Sequence, residues 1–117
     1  MQSTTGYSRG DVVLVQFVYS EETGTKRRPV LLLSSNQYMH GRQEVVVSAI
    51  TSNTRRLLTG DHLMIDWEEA GLLFPSVNTG ILLTIKQSMI ERKMGVVSRR
   101  DLTGIESNLT QILELNS

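Results

Sequence analysis

The amino-acid sequence predicts a mainly β protein with short helices: a small barrel of short strands closed by one amphipathic C-terminal helix. Three observations predict it. Short apolar, β-branched-rich runs alternate with turn-forming clusters along most of the chain. The spacing then changes, and Leu102, Ile105, Leu109, Ile112, Leu113 and Leu115 form an apolar stripe of helical period. At 117 residues the chain can build one core but not two, which predicts a single domain over 1–117.

Taken in order, Ser8-Arg9-Gly10-Asp11 is turn chemistry and Asp11–Tyr19 a β-branched first strand. A polar loop from Ser20 to Arg28, carrying Glu21-Glu22 and Gly24, leads to a second strand over Pro29–Ser34. Pro29 fixes its own φ and pushes Arg28 towards an extended conformation. Asn36–Gln43 reads as one helical turn and a loop. Glu44–Ile50 is a third strand whose continuous apolar character predicts burial on both faces. Thr51-Ser52-Asn53-Thr54 ends it, and His62–Ile65 follows as a fourth strand after the Gly60-Asp61 turn. Asp66 is placed to cap a short helix over Trp67–Ala70, with Gly71 as its stop. A fifth strand spans Val77–Ile85, with a bulge expected at Gly80. Lys86–Ile90 is a single turn, and Glu91–Val96 a closing strand. Ser98-Arg99-Arg100-Asp101 is a capping box in acidic form at the start of the last helix.

Composition removes several function classes. Apolar residues make up 39% and charged residues 21%, proportions of a globular chain rather than a disordered one. No run is long enough to span a membrane, and Met1–Tyr7 lacks the cations and apolar core of a signal peptide, so a cytoplasmic location is expected. Without cysteine there is neither a disulfide nor a thiolate metal site. The formal net charge is zero, so a nucleic-acid role requires a local patch. Five of the twelve cations sit in two clusters, Lys26-Arg27-Arg28 and Arg55-Arg56.

Phosphate-binding glycine loops, histidine pairs at helical spacing and nucleophile elbows are absent from the sequence. His40 and His62, both in or beside loops, read as surface residues, the methionines as core filler, and Trp67 as packed on the barrel. One convergence is chemically informative. If the second and third strands pair antiparallel, Arg28 at the start of one meets Thr51 at the end of the other, with Ser52, Arg55 and Arg56 nearby. Arginine presents planar, bidentate donors to a phosphate and stays charged at any relevant pH. It can stabilise charge developing on a phosphoryl group, while a threonine hydroxyl donates to a phosphate oxygen.

The ordered set Arg9-Gly10-Asp11-Val12-Val13, Arg27-Arg28-Pro29-Val30-Leu31-Leu32-Leu33-Ser34 and Ala49-Ile50-Thr51-Ser52 resembles the MazF/PemK-type toxins of bacterial toxin–antitoxin modules. Gly71-Leu72-Leu73-Phe74-Pro75-Ser76-Val77 and Arg92-Lys93-Met94-Gly95 extend the resemblance to nearly the whole chain. It implies an SH3-like barrel of the CcdB/PemK type, a homodimer, and sequence-specific, metal-independent cleavage of single-stranded RNA without a cofactor. In the family the ribose 2′-hydroxyl attacks the adjacent phosphate, giving a 2′,3′-cyclic phosphate and a 5′-hydroxyl. Arg28 and Thr51 match the family's catalytic arginine and threonine. Lys26, Arg27, Ser52, Arg55 and Arg56 are then expected to bind RNA, and an acidic antitoxin segment to compete with it at the Lys26–Arg28 loop and the Arg55-Arg56 pair.

The chain departs from the family at Asn78-Thr79-Gly80-Ile81, where several members carry an arginine and an acidic residue. Either Arg28 and Thr51 suffice, or another group (Arg55, Arg56 or His62) completes proton transfer, or the activity is weak. Two other readings keep the barrel: a CcdB-like toxin directed at gyrase through the Ile112–Ser117 end, and a barrel that binds RNA or protein without cleaving.

Overall fold

The computed structural model describes residues 6–20 and 24–115. The first five residues, with most of the Met1–Tyr7 stretch, lie outside the described residues. So do Glu21-Glu22 and the last two residues of the Ile112–Ser117 end. Among the described residues six strands form one antiparallel sheet: β1 (Asp11–Ser20), β2 (Gly24–Leu32), β3 (Glu44–Thr51), β4 (His62–Leu63), β5 (Val77–Lys86) and β6 (Ile90–Val96). Helix α1 (Asn36–Gly41) joins β2 to β3, and α2 (Arg99–Ile112) follows β6. The spatial order is β4-β5-β3-β2-β1-β6.

Both faces of the sheet are covered, as the continuous apolar third strand predicts. Ile50 of β3 joins Val12, Leu31, Met64, Leu72 and Ile105 in one cluster, with α2 packed on it. Val45 and Val47, on the alternate side chains, join Val13, Val30, Leu32 and Met39 in a second cluster. The β4–β5 connection reaches across the first cluster to β6 at the opposite edge of the sheet. There the backbones of Ala70-Gly71 and Met94-Gly95 touch: a Cβ on Gly71 would lie 2.1 Å from the Met94 carbonyl oxygen, and one on Gly95 would lie 2.5 Å from Ala70. Two glycines thus close the barrel where no ladder does.

The bulge expected at Gly80 is present. The β3–β5 register moves from Ser48↔Leu82 to Ile50↔Asn78, so three residues of β5 oppose one of β3. The four departing residues are all committed to this bend. Asn78 is buried and accepts from the Ser48 hydroxyl at 2.8 Å. Thr79 donates to the Ala49 carbonyl, and the Gly80 N–H donates to Asp61.

Four expectations need correction. The second strand begins at Gly24, not Pro29, so Lys26, Arg27 and Arg28 are strand residues paired with Phe17, Gln16 and Val15 of β1. These residues are exposed, so no apolar alternation marks the strand. The fourth strand is only His62–Leu63. Trp67–Ala70 forms turns rather than a helix, and Asp66 does not cap them: its carboxylate takes a two-pronged bond from Arg100, at 2.7 and 2.8 Å. Leu113 and Leu115 lie beyond the end of α2 and are about half exposed, so the buried stripe stops short of them.

The capping box forms one of its two bonds, Ser98 Oγ accepting from the Asp101 N–H at 3.2 Å. The Asp101 carboxylate, fully buried, turns instead to the β4–β5 connection. It accepts from the Ile65 and Asp66 N–H groups and contacts His62 Nε2, each at 2.8 Å. Burial by itself would push this carboxyl up, but the Ile65 N–H, His62 and the Asp66 N–H together hold it below the ordinary carboxylate value.

Candidate active site

The site lies where β2 and β3 part. Their ladder ends at the pair Val30↔Ala49. Beyond it, Pro29 has no N–H to offer, and β2 continues only against β1, with Arg28 level with Val15. On the other side β3 continues only against β5, with Thr51 level with Val77. A cleft of about 740 Å³ opens at this fork. Arg28, Pro29, Thr51 and Ser52 line it on the sheet side, and Leu72, Leu73, Phe74, Ser76 and Met94 line it from the segments joined by the glycine contact.

The antiparallel register accounts for the meeting of Arg28 and Thr51. Two residues past Val30↔Ala49, the same register brings 28 level with 51, and strand alternation puts both on the face of Val30 and Ala49. Among the described residues Arg28 is the only ionisable one lining the cleft. Its guanidinium has no ion-pair partner among the described residues, unlike those of Arg9, Arg27, Arg42 and Arg100. Thr51 Oγ1 accepts from the Asn53 N–H at 3.1 Å, so its own hydrogen points elsewhere and remains available as a donor. A guanidinium and a hydroxyl donor lining one cleft are groups that can take a tetrahedral oxyanion such as phosphate.

The other cations expected near the site stand apart from it. Arg27, one residue out of phase with Arg28, points to the opposite face and pairs with Glu91 at 2.6 Å. Lys26 lies further along β2, and Arg55 and Arg56 occupy an exposed loop in which Asn53 accepts from the Arg55 N–H. None of these lines the cleft. His62 does not line it either; its ring packs over Gly104 of α2 and bonds Asp101. Among the described residues no three histidine, aspartate or glutamate side chains gather as a metal-ligating group.

The apolar wall was not anticipated. Leu73 and Phe74 are 78% and 63% exposed, and both line the cleft. The available signal was local: two bulky apolar residues stand directly before Pro75, outside any strand or helix period.

No helix is long and apolar enough to cross a membrane among the described residues. No curated protein matches the chain. Solved structures do. An endoribonuclease from a Mycobacterial species, in complex with its cognate antitoxin, superposes with a TM-score of 0.76 at 22% identity, over 96% of this chain and 99% of that one. The MazF-mt6 toxin of Mycobacterium tuberculosis gives 0.73 at 23% identity, over 92% and 99%. A MazE–MazF structure from Deinococcus radiodurans gives 0.78 at 16% identity, over 94% and 97%. At these identities the likeness establishes the fold, which is the expected barrel with a C-terminal helix. The family model for the PemK-like, MazF-like toxin of type II toxin–antitoxin systems matches residues 8–113, nearly the whole chain. The protein belongs to that toxin family.

Proposed function

We propose that the protein is an endoribonuclease toxin that cuts single-stranded RNA at the β2–β3 fork, with Arg28 and Thr51 as its catalytic pair. The observation that carries this reading is their convergence in one cleft, with Arg28 lacking an ion-pair partner among the described residues and the Thr51 hydroxyl free to donate. Family membership and the similarity to solved endoribonucleases support it.

In the proposed reaction a ribose 2′-oxygen attacks the adjacent phosphorus while the bond to the 5′-oxygen breaks. The 2′-hydroxyl proton passes to solvent water, and solvent supplies the proton that joins the departing 5′-oxygen. The products are a 2′,3′-cyclic phosphate and a 5′-hydroxyl, with no water consumed. Charge builds on the non-bridging oxygens in the transition state, where the two-pronged Arg28 guanidinium and the Thr51 hydroxyl are positioned to donate. The pair acts by charge stabilisation and orientation, chemistry that requires neither a metal nor a cofactor. Ser52 adds a hydroxyl at the same rim, and Lys26, Arg27, Arg55 and Arg56 supply longer-range attraction for the RNA backbone.

The same cations suit an acidic antitoxin segment that competes with RNA. A homodimer acting in the cytoplasm, each 117-residue chain a single toxin domain, completes the reading. The test is incubation of a long single-stranded RNA in EDTA, followed by mapping of the ends. Discrete cuts bearing cyclic phosphate, blocked by a single 2′-deoxy substitution at the cut, are expected. A folded protein that leaves the RNA intact, or cuts the deoxy-substituted site equally well, contradicts the mechanism.

A further inference from the structure

Leu73 and Phe74 are the two most exposed large apolar side chains among the described residues, they are adjacent, and both line the Arg28 cleft. Their position is fixed on both sides. Before them, Leu72 is buried in the core and Gly71 is locked against Met94. After them come Pro75 and the buried Ser76, whose hydroxyl donates to the Phe74 carbonyl at 2.7 Å and whose carbonyl accepts from the Met64 N–H. An apolar pair held out of the core by a braced turn contributes little to folding, and it presents a preformed surface to a ligand.

We propose that Phe74 is a stacking platform for a nucleobase next to the scissile phosphate, and so a specificity-determining residue of the RNA cleft. The inference rests on the RNA-cleavage reading of that cleft and deepens it. The sheet side carries Arg28 and the hydroxyls of Thr51 and Ser52, the groups that take a phosphate, among apolar residues that include Phe17. The other carries an aromatic ring beside Leu73, which takes the flat face of a base. A volume of about 740 Å³ is in the range of clefts that enclose ligands. A cation and an exposed ring in one cleft, with no carboxylate among the described residues lining it, match the two halves of a nucleotide better than an apolar peptide. Phe74 holds the base and does not touch the reacting atoms; its effect is on which phosphates reach Arg28.

The test uses the full chain and an oligonucleotide spanning a mapped cut, made non-cleavable by a 2′-deoxy sugar at that position. Phe74→Ala is expected to weaken binding by ~5- to ~100-fold, the scale of one base–aromatic stack. Phe74→Leu, which keeps the apolar bulk without the π-face, should lose a comparable factor, whereas Phe74→Trp should bind as well as the wild type. An abasic site at the stacked position should weaken binding by the wild type and cost Phe74→Ala nothing more, a coupling that a merely structural residue would not produce. On long RNA, Phe74→Ala should change the set of cut sites. Wild-type cleavage with unaltered affinity and cut sites in Phe74→Ala overturns the inference and leaves the nuclease reading standing. Loss of antitoxin binding alone, with RNA binding intact, overturns it in favour of a protein-docking role. A wild type that neither binds nor cuts RNA removes the cleavage reading and this inference together.

Discussion

Arg28 and Thr51 line one cleft at the fork where β2 and β3 separate, each two residues beyond the last ladder pair, Val30↔Ala49. Each is held on its far side by a ladder, Arg28 against Val15 and Thr51 against Val77, and each is open on its near side. Rigid strands therefore fix both backbones, while the absence of a ladder between them leaves room for a ligand. Placement on strands rather than loops suits groups that must meet developing charge at a set distance.

Gly95 and Gly71 close the barrel, so Gly95→Ala should be costly. Its Cβ would meet backbone atoms of Ala70 at 2.5 Å, which a side-chain rotation cannot relieve. A loss on the order of 3 kcal/mol is expected, at the severe end for an added methyl group. Gly41→Ala is the control, because nothing lies within 4 Å of that Cβ. Denaturant midpoints at unchanged slope measure both. Equal midpoints for the two variants would show that the glycine contact does not hold the barrel.

Acid should destabilise the protein through Asp101 and Asp66. Asp101 is held below its ordinary value of 3.8, and Arg100 brings Asp66 down to about 2. A carboxylate whose folded value is depressed adds stability above its unfolded value and loses it as pH falls towards the folded one. Melting temperature should therefore decline between about pH 4 and pH 2, where these two groups take up protons. Asp101→Ala leaves the Ile65 and Asp66 N–H groups without their acceptor and should cost about 3 kcal/mol at neutral pH, with a shallower decline in acid. An acid decline as steep in Asp101→Ala as in the wild type would assign the effect elsewhere.

Arg55 and Arg56 stand outside the cleft on an exposed loop, so their contribution to RNA binding should be electrostatic. Plotted as the logarithm of affinity against that of salt concentration, the wild type should slope downward. Replacing either arginine by alanine should reduce the slope by about 1. An unchanged slope in the double variant would mean that RNA does not pass this loop.

The shared cleft of Arg28 and Thr51 was legible because antiparallel pairing is rigid arithmetic: once β2 and β3 are neighbours, positions 28 and 51 fall at the same edge. The capping serine at 98 and the bulge around Gly80 were legible from local chemistry. What escaped is long-range or patternless. The exposed start of β2 has no buried face to leave a period-two signature. Asp66 looked like a cap because its partner Arg100 lies 34 residues away. The meeting of Gly71 with Gly95, which braces the Leu73-Phe74 wall, depends on barrel closure and has no local signal. Asn78–Ile81, where several family members carry an arginine and an acid, form a bend in β5, and none of the four lines the cleft.

Cleavage of one mapped RNA site in EDTA, measured for the wild type, Arg28→Ala and Thr51→Ala, tests the central claim most directly. The account predicts a loss on the order of a hundredfold or more in rate for Arg28→Ala, the scale of one transition-state donor, and a clear loss for Thr51→Ala, with both variants folded. Cleavage by Arg28→Ala at the wild-type rate and sites would contradict it and move the chemistry away from the β2–β3 fork.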